Sequence, residues 1–183
     1  MKKIFVALMC AVAVIATSVE AKAQKNSGET VVNVSFRNAD DTKSVWPFAE
    51  KRLSNANPVT ECTLTTKKGG HAFEFSSTQP VYVNSKYGLM FGGEPGNYLK
   101  FPAVKGKTLT KISIKFGGKG SMGTPTIVDM KGNILEGGKG AKSKDMNYVH
   151  TWNISGLKKG KPAKMLFTTP GGTKIKNIEL IYE

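Results

Sequence analysis

The stretch that decides the fold is GLMFGGEPGNYLKFPAVKGKTLTKISIKF, which runs from Gly88 to Phe116. Its last part alternates strictly, because Ile112, Ile114 and Phe116 are apolar and the residues between them are polar. A period of two predicts a β-strand with one face in a core and the other face in water. The preceding segment, 105–108, is polar and contains a glycine, which predicts a turn.

The remainder of the chain repeats this pattern of short alternating strands separated by glycine-rich turns. About nine or ten such strands at near-regular spacing, with almost no helix, predict an all-β antiparallel sandwich of the jelly-roll type. Outside the opening stretch, the predicted strands cover 30–36, 61–66, 71–75, 81–83, 124–129, 147–154, 164–168 and 175–182.

The first 23 residues have the pattern of a secretory signal peptide. Lys2 and Lys3 precede an apolar run from 4 to 15, and the small residues Ala21 and Ala23 flank a cleavage site before Gln24. We therefore predict a single exported domain over 24–183, in the periplasm or at the cell surface. The sequence contains no other stretch that is apolar and long enough to predict a transmembrane helix.

After removal of the signal peptide, Cys62 is the one cysteine left, so the sequence excludes a disulfide framework. It stands in the alternating segment 61–65, and we predict that it is a small buried apolar residue rather than a reactive thiol. A nucleophilic role would require a nearby base, and the sequence indicates none.

The charge is concentrated in the second half of the chain. Residues 24–99 contain eight Lys and Arg against seven acids, whereas 100–183 contain sixteen lysines against five acids. One interpretation is solubility and the protection of strand edges. The other is attraction to a polyanion such as an acidic polysaccharide, for which Lys139, Lys142 and Lys144 are the predicted contacts.

Several segments together resemble a known family. They are Trp46–Phe48, Gly96–Leu109, Pro125–Ile127, Thr151–Ile154 and Ile175–Tyr182. This set resembles the small exported β-sandwich domains of Bacteroides-type bacteria, which have galactose-binding-like or carbohydrate-binding-module-like jelly rolls. The resemblance implies the fold, and it implies glycan binding as the commonest use of such domains.

The sequence gives little support for catalysis. His71 and His150 are isolated, and no zinc-binding motif is present. The GxGxxG match that starts at Gly118 is followed by Pro125 and a β-branched run instead of a helix, so it does not predict a phosphate site. A glycosidase-type carboxylate pair is left open, with Glu74, Glu94, Asp129 and Glu136 as candidates.

Binding has better candidates, because sugars stack on aromatic rings and hydrogen-bond to amides and carboxylates. We predict ligand contacts from Trp46, Tyr87, Asn97 and Tyr98, and no catalytic residues. The predicted partner is a glycan or polysaccharide. The alternatives are an envelope protein-interaction or structural module with a basic surface, and a glycan-degrading enzyme.

The sequence also bears on nucleic acids and metal ions as partners. Export argues against nucleic acid as a partner, although a basic surface binds phosphates without specificity. We predict no cofactor. Calcium would need clustered oxygen ligands, and Asp40 and Asp41 with Glu179 are the only candidates for them.

Overall fold

The computed structural model describes residues 28–36, 46–54, 56, 59–84, 87–117, 124–140 and 148–183. In these ranges the regular secondary structure is entirely β, and every strand pairing is antiparallel. The strands are β1 (Thr30–Ser35), β2 (Val59–Thr65), β3 (Ala72–Asn84), β4 (Gly88–Gly93), β5 (Tyr98–Lys100), β6 (Leu109–Phe116), β7 (Pro125–Val128), β8 (Val149–Asn153), β9 (Lys164–Phe167) and β10 (Gly171–Tyr182).

The strands form two packed layers. The first sheet has the order β2-β3-β5-β9-β7, and the second has the order β3-β4-β10-β6-β8, with β1 also paired to β10. In the second sheet β4 pairs with the first half of β10 and β1 with its second half. Gly88 begins β4 at a φ of +88°, and a Cβ there would collide with the carbonyl oxygen of Ile175. A glycine is therefore needed where β4 meets β10.

Strand β3 passes from one sheet to the other. Its residues 74–76 pair with β5, and its residues 82–84 pair with β4. The pairing with β2 breaks between these halves, since Glu61 lies opposite Ser76 but Val59 opposite Val81. Pro80 falls in this break, where its lack of an N–H removes no ladder bond. The sequence predicted two separate strands here, over 71–75 and 81–83, and the structure joins them into one.

The inward faces of the two sheets share one apolar core. Phe75 of the first sheet contacts Phe91 of the second with ring centroids 5.6 Å apart, and Phe91 contacts Phe167 of the first at 5.5 Å. On β6, Ile112 and Ile114 are completely buried, as the alternation predicted. Burial of each such side chain stabilises the fold by about 1.5–3 kcal/mol.

The path of the chain confirms the predicted jelly-roll sandwich. From β4 to β10 successive strands alternate between the two sheets, which is how a jelly roll wraps its layers. The predicted turn before β6 is also present, with Gly106 at a φ of +72°. Cys62 faces the core and is partly buried, and this burial raises the pKa of its thiol to about 11. It is therefore an inert thiol at neutral pH, in agreement with the prediction.

Several predictions concern parts of the chain outside the described residues. These are the signal peptide over 1–23, the lysines Lys142 and Lys144, and the acids Asp40 and Asp41. Within the part of the chain that the structure describes, no helix has the length and apolar character needed to cross a membrane.

Candidate functional site

The outer face of the first sheet presents two rows of side chains that run across four strands. Strand register aligns the first row as Glu61, Ser76, Tyr98 and Leu166, and the second row as Thr63, Glu74, Lys100 and Lys164. Neighbouring strands lie about 4.8 Å apart, so each row is about 14 Å long. We call these eight residues the tyrosine face. Its length suits a short, extended ligand.

Tyr98 lies at the centre of the tyrosine face and is half-buried. Its neighbour in sequence, Leu99, points the other way and is completely buried in the core. The ammonium group of Lys164 sits over the Tyr98 ring, 5.0 Å from its centroid. The aromatic surface is therefore present, and the half-buried Lys164 side chain covers it.

Next to Tyr98, Glu74 and Lys100 form a direct ion pair between β3 and β5. Both side chains are partly exposed, so the pair contributes little to stability but holds a carboxylate and an ammonium group beside the ring. Two of the other candidate acids, Glu136 and Asp129, have different partners. Glu136 accepts a hydrogen bond from Ser155, and Asp129 accepts hydrogen bonds within its own loop.

Asn97 precedes Tyr98 and is 5% exposed. Its Oδ1 accepts a hydrogen bond from the backbone N–H of Thr78 at 3.1 Å, and its Nδ2 donates to the Thr78 hydroxyl at 3.1 Å. The amide thus ties the start of β5 to β3. Its role as a ligand contact stays a prediction, but the side chain already positions Tyr98 on the sheet.

The remaining predicted aromatics lie elsewhere. Tyr87 is in the turn between β3 and β4, where the Lys174 ammonium lies 4.5 Å from its ring centroid. Trp46 packs edge-on against Phe48 at 5.1 Å, and its Nε1 donates to the carbonyl of Glu50 at 2.7 Å. Since Phe48 bridges to Thr66 at the β2–β3 hairpin, Trp46 and Tyr87 lie near opposite ends of β3. The structure therefore does not join the four predicted contacts into one site.

The outer face of the second sheet has a different composition. Register aligns Asn33, Glu179, Ser113 and Thr151 in one row, and Ser35, Asn177, Lys115 and Val149 in the next. We call these eight residues the polar shelf. It holds a shallow pocket of about 270 Å³ and no aromatic side chain. Among its residues, the hydroxyl groups of Ser113 and Thr151 lie 3.1 Å apart.

The described acidic side chains are dispersed, and Lys139 is the one predicted polyanion contact within the described residues. Among the described residues, no three His, Cys, Asp or Glu side chains are grouped to hold a metal ion. Glu179, one of the acids considered for calcium, accepts a hydrogen bond from Asn33 at 3.4 Å. Lys139 is exposed in the segment that runs beside β7, where the carbonyl of Gly138 accepts from the N–H of Ile127.

Of the groups around Tyr98 on the tyrosine face, sequence reasoning missed Ser76, Lys100 and Lys164, and it named Glu74 only as a candidate catalytic acid. The alternation of 71–75 and 164–168 places Glu74 and Lys164 on outward positions. It does not say that β3 and β9 flank β5, because strand order depends on long-range pairing.

The fold and this face define an antiparallel β-sandwich with an aromatic, charged surface on its first sheet. A solved structure described as a family 35 carbohydrate binding module from an environmental isolate is similar to this chain, with 15% identity and a TM-score of 0.38. The match covers 74% of this chain and 92% of that chain. No protein-family model matches the sequence, and no curated protein does either. Likeness of this degree does not define a common ligand, so function has to be argued from the surface.

Proposed function

We propose that this protein is an exported, non-catalytic carbohydrate-binding module that binds a glycan across the tyrosine face. The observation that carries the proposal is the central, half-buried ring of Tyr98 with polar groups aligned on both rows beside it. A pyranose presents an apolar face that stacks on such a ring and hydroxyl groups around its edge.

The side chains beside the ring match those hydroxyl groups. The Glu74 carboxylate accepts hydrogen bonds, the Lys100 ammonium group donates them, and the Ser76 hydroxyl does both. Ser76 lies opposite Tyr98 on β3, Lys100 is two residues along β5, and Glu74, opposite Lys100, is a diagonal neighbour of Tyr98. Since they stand on strands and not on loops, the face is organised before a ligand arrives, which lowers the entropic cost of binding.

A glycan array tests the proposal, with the wild-type protein at low and near-physiological salt. We expect binding to particular sugars that persists at the higher salt concentration, because stacking and hydrogen bonding are not screened. Binding only to sulfated or phosphorylated glycans that is lost as salt rises would contradict the tyrosine-face site and leave only a basic surface. A blank array would favour the envelope-interaction alternative.

The variants Tyr98→Ala and Tyr98→Phe locate the site. The alanine variant removes the ring. We expect it to lose about 0.5–1.5 kcal/mol of binding free energy from stacking, in addition to the contribution of the buried apolar area, so its affinity should fall at least two- to tenfold. The phenylalanine variant keeps the ring and should bind nearly as well as wild type. Tyr87→Ala is the matched control, because Tyr87 also has a lysine over its ring. Equal losses in Tyr98→Ala and Tyr87→Ala would refute the assignment.

A further inference from the structure

A second concavity lies away from the tyrosine face, between the turn that follows β7 and the connection from β8 to β9. It has a volume of about 550 Å³. Its lining combines apolar groups, from Met130, Leu157 and Pro162, with the lysines Lys131, Lys158 and Lys161. We call it the lysine pocket.

The walls of the lysine pocket are held by their own hydrogen bonds. Asp129 Oδ1 accepts from the N–H groups of Lys131 and Asn133 at 2.8 and 2.9 Å, and its Oδ2 accepts from the Asn133 amide at 2.9 Å. On the other side, the N–H of Lys161 donates to the carbonyl of Lys158 at 3.1 Å. Both loops are therefore shaped without a ligand, as in most small-molecule sites.

The side chains that line the lysine pocket are predominantly positively charged. Three lysines line it, against the single carboxylate of Asp129. The hydrogen bonds from Asn133 and Lys131 direct that carboxylate into its own turn and lower its pKa, so it remains ionised and engaged there. In the parts of the chain that the structure describes, no ion pair is formed by any of the three lysines.

The apolar part of the lining narrows the choice of ligand. Met130 is 45% exposed although it is a large apolar residue, and Leu157 beside it is 9% exposed. Lysine ammonium groups donate hydrogen bonds and cannot accept them. A ligand that satisfies this lining carries an anionic acceptor at one end and an apolar body at the other.

We infer that the lysine pocket binds a small carboxylate carried on a short apolar chain, with the carboxylate at the lysines and the chain against Met130 and Leu157. This inference does not depend on the glycan site, since the two surfaces share no residue. It adds a second ligand class to the protein.

The test is a titration of the ¹⁵N-labelled protein followed by NMR, with octanoate as the probe. Two compounds serve as controls. Acetate has the carboxylate but no apolar chain, and octyltrimethylammonium has the apolar chain but a positive charge. We expect octanoate to shift the amide signals of 129–133 and 156–162 saturably, and at concentrations well below those needed for acetate. Equal potency of acetate, or equal binding of octyltrimethylammonium, would overturn the inference.

Two variants separate the roles of charge and apolar surface. Lys158→Glu with Lys161→Glu should weaken octanoate binding about tenfold or more, because charge-assisted hydrogen bonds are lost. The matched control is Lys67→Glu with Lys68→Glu, two exposed lysines in the β2–β3 hairpin, which should leave binding unchanged. Met130→Ser should weaken octanoate binding and leave acetate unaffected. Equal weakening by the hairpin variant would show that net charge alone attracts the probe, and the inference would fail.

Discussion

The outer faces of the two sheets are built by the same alternation but differ in what they present. The tyrosine face has an aromatic ring, a leucine and a cross-strand ion pair in adjacent positions. The polar shelf has mainly amides and hydroxyl groups, with one acid and one lysine. The inner faces share a single core and are constrained alike by packing. The side chains of the outer faces are not constrained by core packing, so the difference in composition between the two outer faces points to function.

The sharpest way to test this division is to compare neighbouring residues on opposite faces of β5. Leu99→Ala removes a completely buried side chain, and we expect a loss of about 2–5 kcal/mol in the free energy of unfolding. Tyr98→Ala, on the outer face, should cost about 1 kcal/mol or less. Urea denaturation of both variants measures this contrast. Similar losses would mean that Tyr98 is a structural residue and not an available surface.

The next largest effect is expected at Asn97, whose buried amide joins the start of β5 to β3 beside the tyrosine face. Asn97→Ala leaves the N–H of Thr78 without its partner and removes one of the hydrogen bonds of the Thr78 hydroxyl, and we expect a loss of about 1–3 kcal/mol in stability. The control is Asn33→Ala on the polar shelf, where the exposed amide makes one long hydrogen bond of 3.4 Å to Glu179. That variant should change the free energy of unfolding by about 0.5 kcal/mol or less. If Asn97→Ala changed the free energy of unfolding as little as Asn33→Ala, the Asn97 amide would not hold β5 to β3.

The contrast between Asn97 and Tyr98 also shows how far the sequence predicts the site. Alternation identified the inward residues Ile112, Ile114 and Phe116, because burial follows directly from a period of two. An amide in a turn is ambiguous, since the same residue can meet a ligand or hold a neighbouring strand. The groups around Tyr98 were not predictable, because β3 and β9 are distant from β5 in sequence and reach it only through the sandwich topology.

Lys164 provides a smaller test, which asks whether the lysine over Tyr98 competes with the glycan. An exposed cation–π contact is worth about 0.5–1 kcal/mol. Since a stacked sugar must displace the ammonium group, Lys164→Met should raise the affinity for a neutral glycan about two- to fivefold. The same variant should weaken binding of an acidic glycan, because a cation is lost. Calorimetric titration measures the affinities for the neutral and the acidic glycan. The control is Lys174→Met, beside Tyr87, which should change neither affinity. Weaker binding of neutral glycans would show that Lys164 bonds the ligand directly.

The smallest expected effect is on the polar shelf. Ser113→Ala and Thr151→Ala each remove one hydroxyl group of an exposed cross-strand pair, which contributes about 0.2–1 kcal/mol to stability. Neither should alter glycan affinity, because the shelf has no aromatic surface on which a sugar can stack. Calorimetric titration with the glycan that the array selects measures the affinity of each variant. A loss of affinity in either one, with Tyr98→Ala binding normally, would move the site to the second sheet. Hydrogen bonding alone would then suffice for recognition, and the aromatic ring of the first sheet would be incidental.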